Sequence, residues 1–193
     1  MNRFLIRTFL LVLLFSGLLD LYFAQGDDGW QALRRRYLGL KSLAGSFVET
    51  VELPEAGQEP IVFKGNFVFK LPDKFRLEVT EPVRQLIVGN DSVVWFYFPD
   101  ERRAVLQTGS KPVPLLAFLA PVLDSGVTVI DEGGGVLAVV ADKSGYLNDL
   151  RLELEEDRTK IRAFSFVDEW GNRYRFLLLN QRSNQVVPEG RFV

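Results

Sequence analysis

The sequence predicts a mainly β protein: one antiparallel sheet of barrel-like curvature with two helices packed on or in it. Three observations carry that reading. Beyond residue 41 apolar and polar side chains alternate with period 2 through most of the chain, the mark of half-buried strands. Glycine, proline and asparagine punctuate those runs at short intervals, as hairpin turns require. Two segments break the period, one with helical spacing near the N-terminus and one, residues 113–123, that is apolar nearly all round. At 193 residues the chain is long enough for one sizeable core and short for two, so a single folded domain is expected.

The first two dozen residues stand apart. Met1 to Arg7 carries two arginines, and Thr8 to Leu19 is almost purely apolar. An apolar run of about twelve residues falls short of the roughly 20 that a spanning helix needs, so it reads as a signal peptide over residues 1–24, with 25–193 as the exported domain. Ala24 suits the position before the cut, whereas Tyr22 is large for a signal-peptidase site; an uncleaved N-terminal anchor is the alternative.

Asp27 and Asp28 precede Trp30, Leu33, Tyr37 and Leu40, which predicts an N-capped amphipathic helix ending near Lys41. Arg34, Arg35 and Arg36 lie on its other face, as a solvated surface or a membrane contact. Phe47, Glu49 and Val51 mark a first strand. Ile61, Phe63, Gly65, Phe67 and Phe69 then alternate with Val62, Lys64, Asn66, Val68 and Lys70. The turn Leu71-Pro72-Asp73-Lys74 leads to Phe75, Leu77 and Val79 on one face of a third strand. A second hairpin joins Gln85–Val88 to Val93–Phe98, and Arg103–Gln107 continues the meander.

Pro114 and Pro121 bracket a short, greasy helix that must be covered on most sides. Strands resume at Val127–Ile130, Val136–Ala141, Leu150–Leu154, Ile161–Val167 and Tyr174–Leu179, for roughly ten in all.

The chain has no histidine and no cysteine. Ser-His and Cys-His catalysis, thiolate redox chemistry, disulfides, most zinc sites and lipidation at a signal-peptide cysteine are therefore excluded. The densest acidic run, Glu153-Leu154-Glu155-Glu156-Asp157, reads as a solvated strand end rather than a carboxylate pair, and Gly133-Gly134-Gly135 is not followed by a helical pattern that could hold phosphate. A net charge of −2 gives no basic field for nucleic acid. The expectation is a protein that is not an enzyme and has no cofactor or metal. What remains is an excess of aromatic side chains, sixteen of them phenylalanine, many on one face of successive strands. They fit either an ordinary solid core or a sheet that closes over a ligand.

From Phe69 to Asp100 the chain reads F-K-L-P-D-K-F-R-L-E-V-T-E-P-V-R-Q-L-I-V-G-N-D-S-V-V-W-F-Y-F-P-D. This block resembles the periplasmic outer-membrane lipoprotein carrier family, LolA. The likeness rests on the proline turn, Lys74-Phe75-Arg76, Pro82 with Gln85, Ile87-Val88, and W-x-Y-x-P-D from Trp95 to Asp100. Ser42–Glu49 and Ile161–Asn180 with the closing P-E-G-R-F-V are similar more weakly.

The resemblance implies an unclosed antiparallel barrel of about ten to eleven strands, with a helical lid over an apolar cavity. In that family the cavity holds the acyl chains of lipoproteins that an inner-membrane ABC-type transporter releases, and an outer-membrane acceptor receives them. A periplasmic monomer is expected, binding lipidated proteins and no nucleic acid. The alternative is a periplasmic lipoprotein- or lipid-sensing regulator of similar fold; such sensors add a second domain, whereas this chain stops at Val193.

The expected cavity lining is Phe47, Phe63, Phe67, Phe69, Phe75, Leu77, Leu86, Trp95, Tyr97, Phe164, Phe166 and Phe176, with Leu115, Leu116, Phe118 and Leu119 on the lid. On this reading Val94, Phe96 and Phe98 point outward. The family commonly has a lid-latching arginine just before the proline of the turn, where this chain has Leu71; Lys70, Lys74 or Arg76 are the candidate substitutes. A looser closed state follows. Leu71→Arg is expected to slow release of a bound acyl ligand and to raise lid protection in hydrogen exchange; unchanged values for both contradict a latch at this position.

Overall fold

Every strand found pairs antiparallel with its neighbours, and together they make one sheet of eleven. The computed structural model describes residues 29–55, 57–90, 93–108, 115, 119, 122, 126–140 and 148–192. In chain order the strands are β1 (Ser42–Glu52), β2 (Ile61–Lys70), β3 (Lys74–Glu81), β4 (Gln85–Asn90), β5 (Val93–Phe98), β6 (Arg103–Thr108), β7 (Val129–Gly133), β8 (Val136–Val139), β9 (Asn148–Leu154), β10 (Ile161–Val167) and β11 (Arg173–Ser183). Their spatial order is β6-β5-β4-β3-β2-β1-β11-β10-β9-β8-β7. The chain thus meanders outward from β1 to one edge and back through β11 to the centre. The two edge strands, β6 and β7, do not pair with each other, so the barrel is unclosed.

Helix α1 spans 29–38 among the described residues. It stops three residues earlier than the spacing predicts: the Gly39 N–H donates to the carbonyls of Arg35 and Arg36 at 3.1 and 3.2 Å, and the Leu40 N–H closes a tighter turn on the Tyr37 carbonyl at 3.1 Å. Trp30, Leu33 and Tyr37 are buried as the spacing requires, and Arg35 and Arg36 are exposed. The short internal helix and the signal peptide that the sequence leads one to expect lie mostly or wholly outside the described residues; of the former, residues 119 and 122 are helical. Glu189–Phe192 forms a 3-10 turn that packs on β3 and β4. Gly133, Gly134 and Gly135 all have positive φ, so the glycine run is a hairpin turn between β7 and β8.

The register assigns the faces. Phe47 on β1 sits opposite Gly65 on β2, Phe67 on β2 opposite Gly45 on β1, and Phe75 on β3 opposite Gly89 on β4. In each pair the ring lies over the glycine: a Cβ on Gly65 would come within 2.9 Å of the Phe47 ring, one on Gly45 within 2.9 Å of Phe67, and one on Gly89 within 2.1 Å of Phe75. The missing side chain lets each ring lie down on the sheet, and glycine at these points favours the bending that wraps a sheet around a core. This face, here called the inner face, packs against α1.

Gly65 carries a harder constraint, since an added Cβ also falls 2.2 Å from the Glu78 carbonyl oxygen, which is backbone and cannot step aside. Gly65→Ala is expected to destabilise the fold by about 2–3 kcal/mol. Gly29→Ala, where a Cβ meets nothing within 4 Å, should be neutral or gain up to about 1 kcal/mol from helix propensity. Chemical denaturation of the two variants beside the parent checks the contrast.

Candidate functional site

The inner face is a continuous aromatic floor. Phe164 and Phe176 stack with centroids 4.7 Å apart, Phe166 and Tyr174 at 4.9 Å, and Phe67 and Phe69 at 4.9 Å, while Phe47 tilts against Phe176 at 6.5 Å. Each such contact is worth about 0.5–1.5 kcal/mol beyond the area it buries. Over this floor lie Trp30, Leu33 and Tyr37 of α1, with Leu115, Leu119 and Val122 buried in the same cluster. Tyr37 ties the cover down. Its hydroxyl accepts the Ile161 N–H at 3.0 Å, and burial pushes its pKa up to about 12.

Of the twelve residues expected to share one face, nine do. Phe47, Phe67, Phe69, Phe75, Leu77, Phe164, Phe166 and Phe176 are buried together, and Phe63 is half-buried against them. Leu115 and Leu119, expected on the lid, are buried in the same cluster, whereas Leu116 and Phe118 lie outside the described residues.

Leu86, Trp95 and Tyr97 are the correction. β4 places Ile87 opposite Leu77, and β5 places Phe96 opposite Ile87, so Ile87, Val94 and Phe96 face inward. Leu86, Trp95 and Tyr97 therefore point to the outer face, where Trp95 and Tyr97 are 46% and 40% exposed. The physical reason is that V-V-W-F-Y-F is apolar at every position, so period 2 carries no sign there; only pairing with β3 and β4 fixes it.

On the outer face these three residues, with Val88 and Ala104, line an open apolar groove of about 330 Å³. Arg84 and Asp100 form an exposed ion pair beside Tyr97, and it holds the Asp100 carboxyl below the ordinary range.

Leu71, where the resemblance leads one to expect a latching arginine, is half-buried against the core, and its N–H donates to the Lys41 carbonyl at 3.0 Å. The candidate substitutes turn to the outer face. Lys70 and Lys74 both reach the Glu189 carboxylate, the latter at 2.9 Å, and Arg76 Nη1 donates to the Arg191 carbonyl at 3.5 Å. These cations fasten the C-terminal 3-10 turn.

Residues that the aromatic pattern passed over complete the floor: Leu43 and Val79, then Leu150, Leu152 and Leu154 on β9, Ile161 on β10 and Leu178 on β11. Glu49 is the unexpected one. It pairs with Phe63 on one side and Phe176 on the other, and so stands on the inner face between Phe47 and Val51. Among the described residues no hydrogen bond or ion pair reaches its carboxylate, and loss of water alone pushes its pKa up to about 7. The alternation Phe47, Glu49, Val51 already put an acid on the apolar face. Among the described residues no group of three or more acidic side chains is placed to hold a metal ion.

The sequence profile described as "Outer membrane lipoprotein carrier protein LolA" matches residues 39–193, the span from the end of α1 through the last strand and C-terminal turn. The chain belongs to this family. LolA is a carrier-protein family and not an enzyme family. An outer-membrane lipoprotein carrier protein of Leptothrix cholodnii is 29% identical over 173 residues, covering 86% of this chain and 80% of its own length. One from Methylibium petroleiphilum is 27% identical, covering 86% and 84%. Among solved structures, the LolA superfamily protein NE2245 from Nitrosomonas europaea superposes with a TM-score of 0.51 at 10% identity, over 87% of this chain and 97% of its own. An uncharacterized conserved protein from Thermus thermophilus gives 0.51 at 12% identity, over 86% and 91%. At such identities these structures speak for the LolA fold alone.

Glu49 gives this LolA chain a pH signature. Because the folded state holds the proton to a higher pH than the unfolded chain does, the contribution of Glu49 to stability is fully present below pH 4.5 and is lost as pH rises through about 7. Glu49→Gln removes that slope. The variant is expected to be more stable than the parent at pH 8, by at most about 2–3 kcal/mol, and to match it near pH 4.5. Urea midpoints at the two pH values measure the difference.

Proposed function

We propose that this chain is a periplasmic lipoprotein carrier: the segment 1–24 directs export, and the domain 25–193 shelters the acyl chains of lipoproteins between the inner face and its helical cover. The observation that carries this reading is an aromatic floor of phenylalanines on which the described cover buries Trp30, Leu33, Tyr37, Leu115, Leu119 and Val122. Rings and leucines hold acyl chains without directional bonds, so affinity follows how far the cover opens. Family membership supports the cargo, and with it the donor and recipient: an inner-membrane ABC-type lipoprotein-releasing transporter and an outer-membrane acceptor.

Phe47, Phe63, Phe67, Phe69, Phe75, Leu77, Phe164, Phe166 and Phe176 form the binding floor in this proposal. Trp30, Leu33, Tyr37 and the segment holding Leu115, Leu116, Phe118 and Leu119 form the cover.

The magnitudes suit a carrier. Lifting Trp30, Leu33 and Tyr37 off the floor forfeits about 1.5–3 kcal/mol each, about 5–9 kcal/mol together. A sixteen-carbon chain brings on the order of 10 kcal/mol when buried, at about 0.8 kcal/mol per methylene. The exchange is close to balanced, which permits both loading and release.

Three tryptophans make the test direct. In a Trp95→Phe/Trp170→Phe variant the remaining indole is Trp30, buried between α1 and the floor. A brominated palmitoyl ester is expected to quench it saturably, and little or no quenching is expected of Trp95 in a Trp30→Phe/Trp170→Phe variant. Quenching of Trp95 alone would move the site to the outer groove, and no quenching of either would reject acyl binding.

A further inference from the structure

Glu49 has no structural task among the described residues. Its carboxylate is unpartnered among the described residues, it lies on the face that every neighbour in register fills with a ring, and it is half-buried beside Phe63. Along β2 the inner face passes from fully buried Phe67 through half-buried Phe63 to exposed Ile61, so Glu49 stands near the place where this face meets solvent. An acyl chain lying along Phe47 and Phe176 and leaving by this end brings its head group past that carboxylate.

We propose that Glu49 makes the acyl-binding face selective for chains whose heads are neutral, joined through ester or amide, and turns away the anions of free fatty acids. The inference rests on the carrier reading above and names the ligand class of the same site.

The surrounding charges favour it. On β11 the facing titratable group is Tyr174, whose hydroxyl donates to Asp168 at 3.1 Å; hydrogen bonds from Asn172, Trp170 and Tyr174 hold the Asp168 carboxyl below the ordinary range despite its burial, so that group adds a negative charge. On β2 the facing residue is Phe63; Lys64 points outward to Glu81 at 2.8 Å. Arg175 on β11 also points outward, to Glu153, and Arg173 stands near Glu52 at the strand end. The register puts one basic side chain on the inner face of the described strands, Arg103. It lies five strands away on β6, over the Phe98 ring and paired with Glu101 at 2.9 Å. On the cover, Arg34 of α1 is half-buried with its Nε unpartnered, but no described cation acts on Glu49, so among the described residues a fatty-acid anion finds none beside it. Two carboxylates on an apolar face repel, and one of them must take up a proton for both to stay. An ester or amide carries no charge and meets neither cost; its carbonyl accepts from a protonated Glu49, and an amide N–H donates to an ionised one.

Binding of palmitate and of monopalmitoylglycerol to the purified parent and its Glu49→Gln variant, at pH 8.5 by calorimetry, tests this. The parent is expected to bind the neutral ester about tenfold tighter than the anion, and Glu49→Gln to bring palmitate to within about twofold of the ester. Unchanged discrimination in Glu49→Gln, or an equal shift for both ligands, overturns the role of Glu49 and leaves the carrier reading standing. A parent that binds neither ligand overturns the carrier reading and this inference with it. The near-isosteric variant is compared only after its circular dichroism matches that of the parent.

Discussion

The packing of phenylalanine rings onto cross-strand glycines is the contact on which the rest of the molecule depends. Three times, at Phe47 with Gly65, Phe67 with Gly45 and Phe75 with Gly89, a ring lies where a side chain would otherwise stand. Glycine in a strand normally weakens it, because nothing packs there and the unfolded chain gains freedom. Here the facing ring covers the bare backbone. The sheet can bend at these points, and the bend gathers side chains from β1 to β4 onto a common floor.

That floor has to be covered, and the kind of cover matters. A second sheet would have made a permanent sandwich, held by strand pairing and large interdigitated area. Instead the described cover is a ten-residue helical stretch contributing Trp30, Leu33 and Tyr37, with Leu115, Leu119 and Val122 from the long connection between β6 and β7. One polar tie of this cover is the hydrogen bond from the Ile161 N–H to Tyr37. A cover held mainly by apolar contact can be exchanged for another apolar body of similar size without breaking directional bonds, which is what a reusable shelter for hydrocarbon requires. The same helix cannot be large, or the exchange would cost more than an acyl chain returns.

The two faces of the sheet are physically distinct. Inward, rings stack and exclude water; outward, Trp95, Tyr97, Leu86, Val88 and Ala104 form an open groove, and Lys70, Lys74 and Arg76 are taken up by the C-terminal turn. Glu49 places a carboxylate on the inner face between Phe63 and Phe176. One carboxylate among phenylalanines sacrifices stability at neutral pH, and a residue that lowers stability where an apolar one would raise it points to a use beyond folding.

The sequence by itself determined the fold class, the strand-turn rhythm, the apolar side of α1, the absence of histidine and cysteine chemistry, and the family. Those follow from local periodicity and from the block Phe69–Asp100, which are properties of residues close in the chain. Nine of the twelve expected floor residues were legible for the same reason: Phe63, Phe67 and Phe69 alternate with Lys64, Asn66, Val68 and Lys70, and polar neighbours give the pattern its sign. Only the tertiary structure decided the rest. In Val93–Phe98 every residue is apolar, so the facing side depends on pairing with Ile87 and, through it, Leu77. Lys70, Lys74 and Arg76 meet Glu189 and Arg191 across more than a hundred residues. The partners of Glu49, from β2 and β11, come from opposite ends of the chain. Alternation tells a strand that it has two sides; which side is buried is settled by the strands beside it.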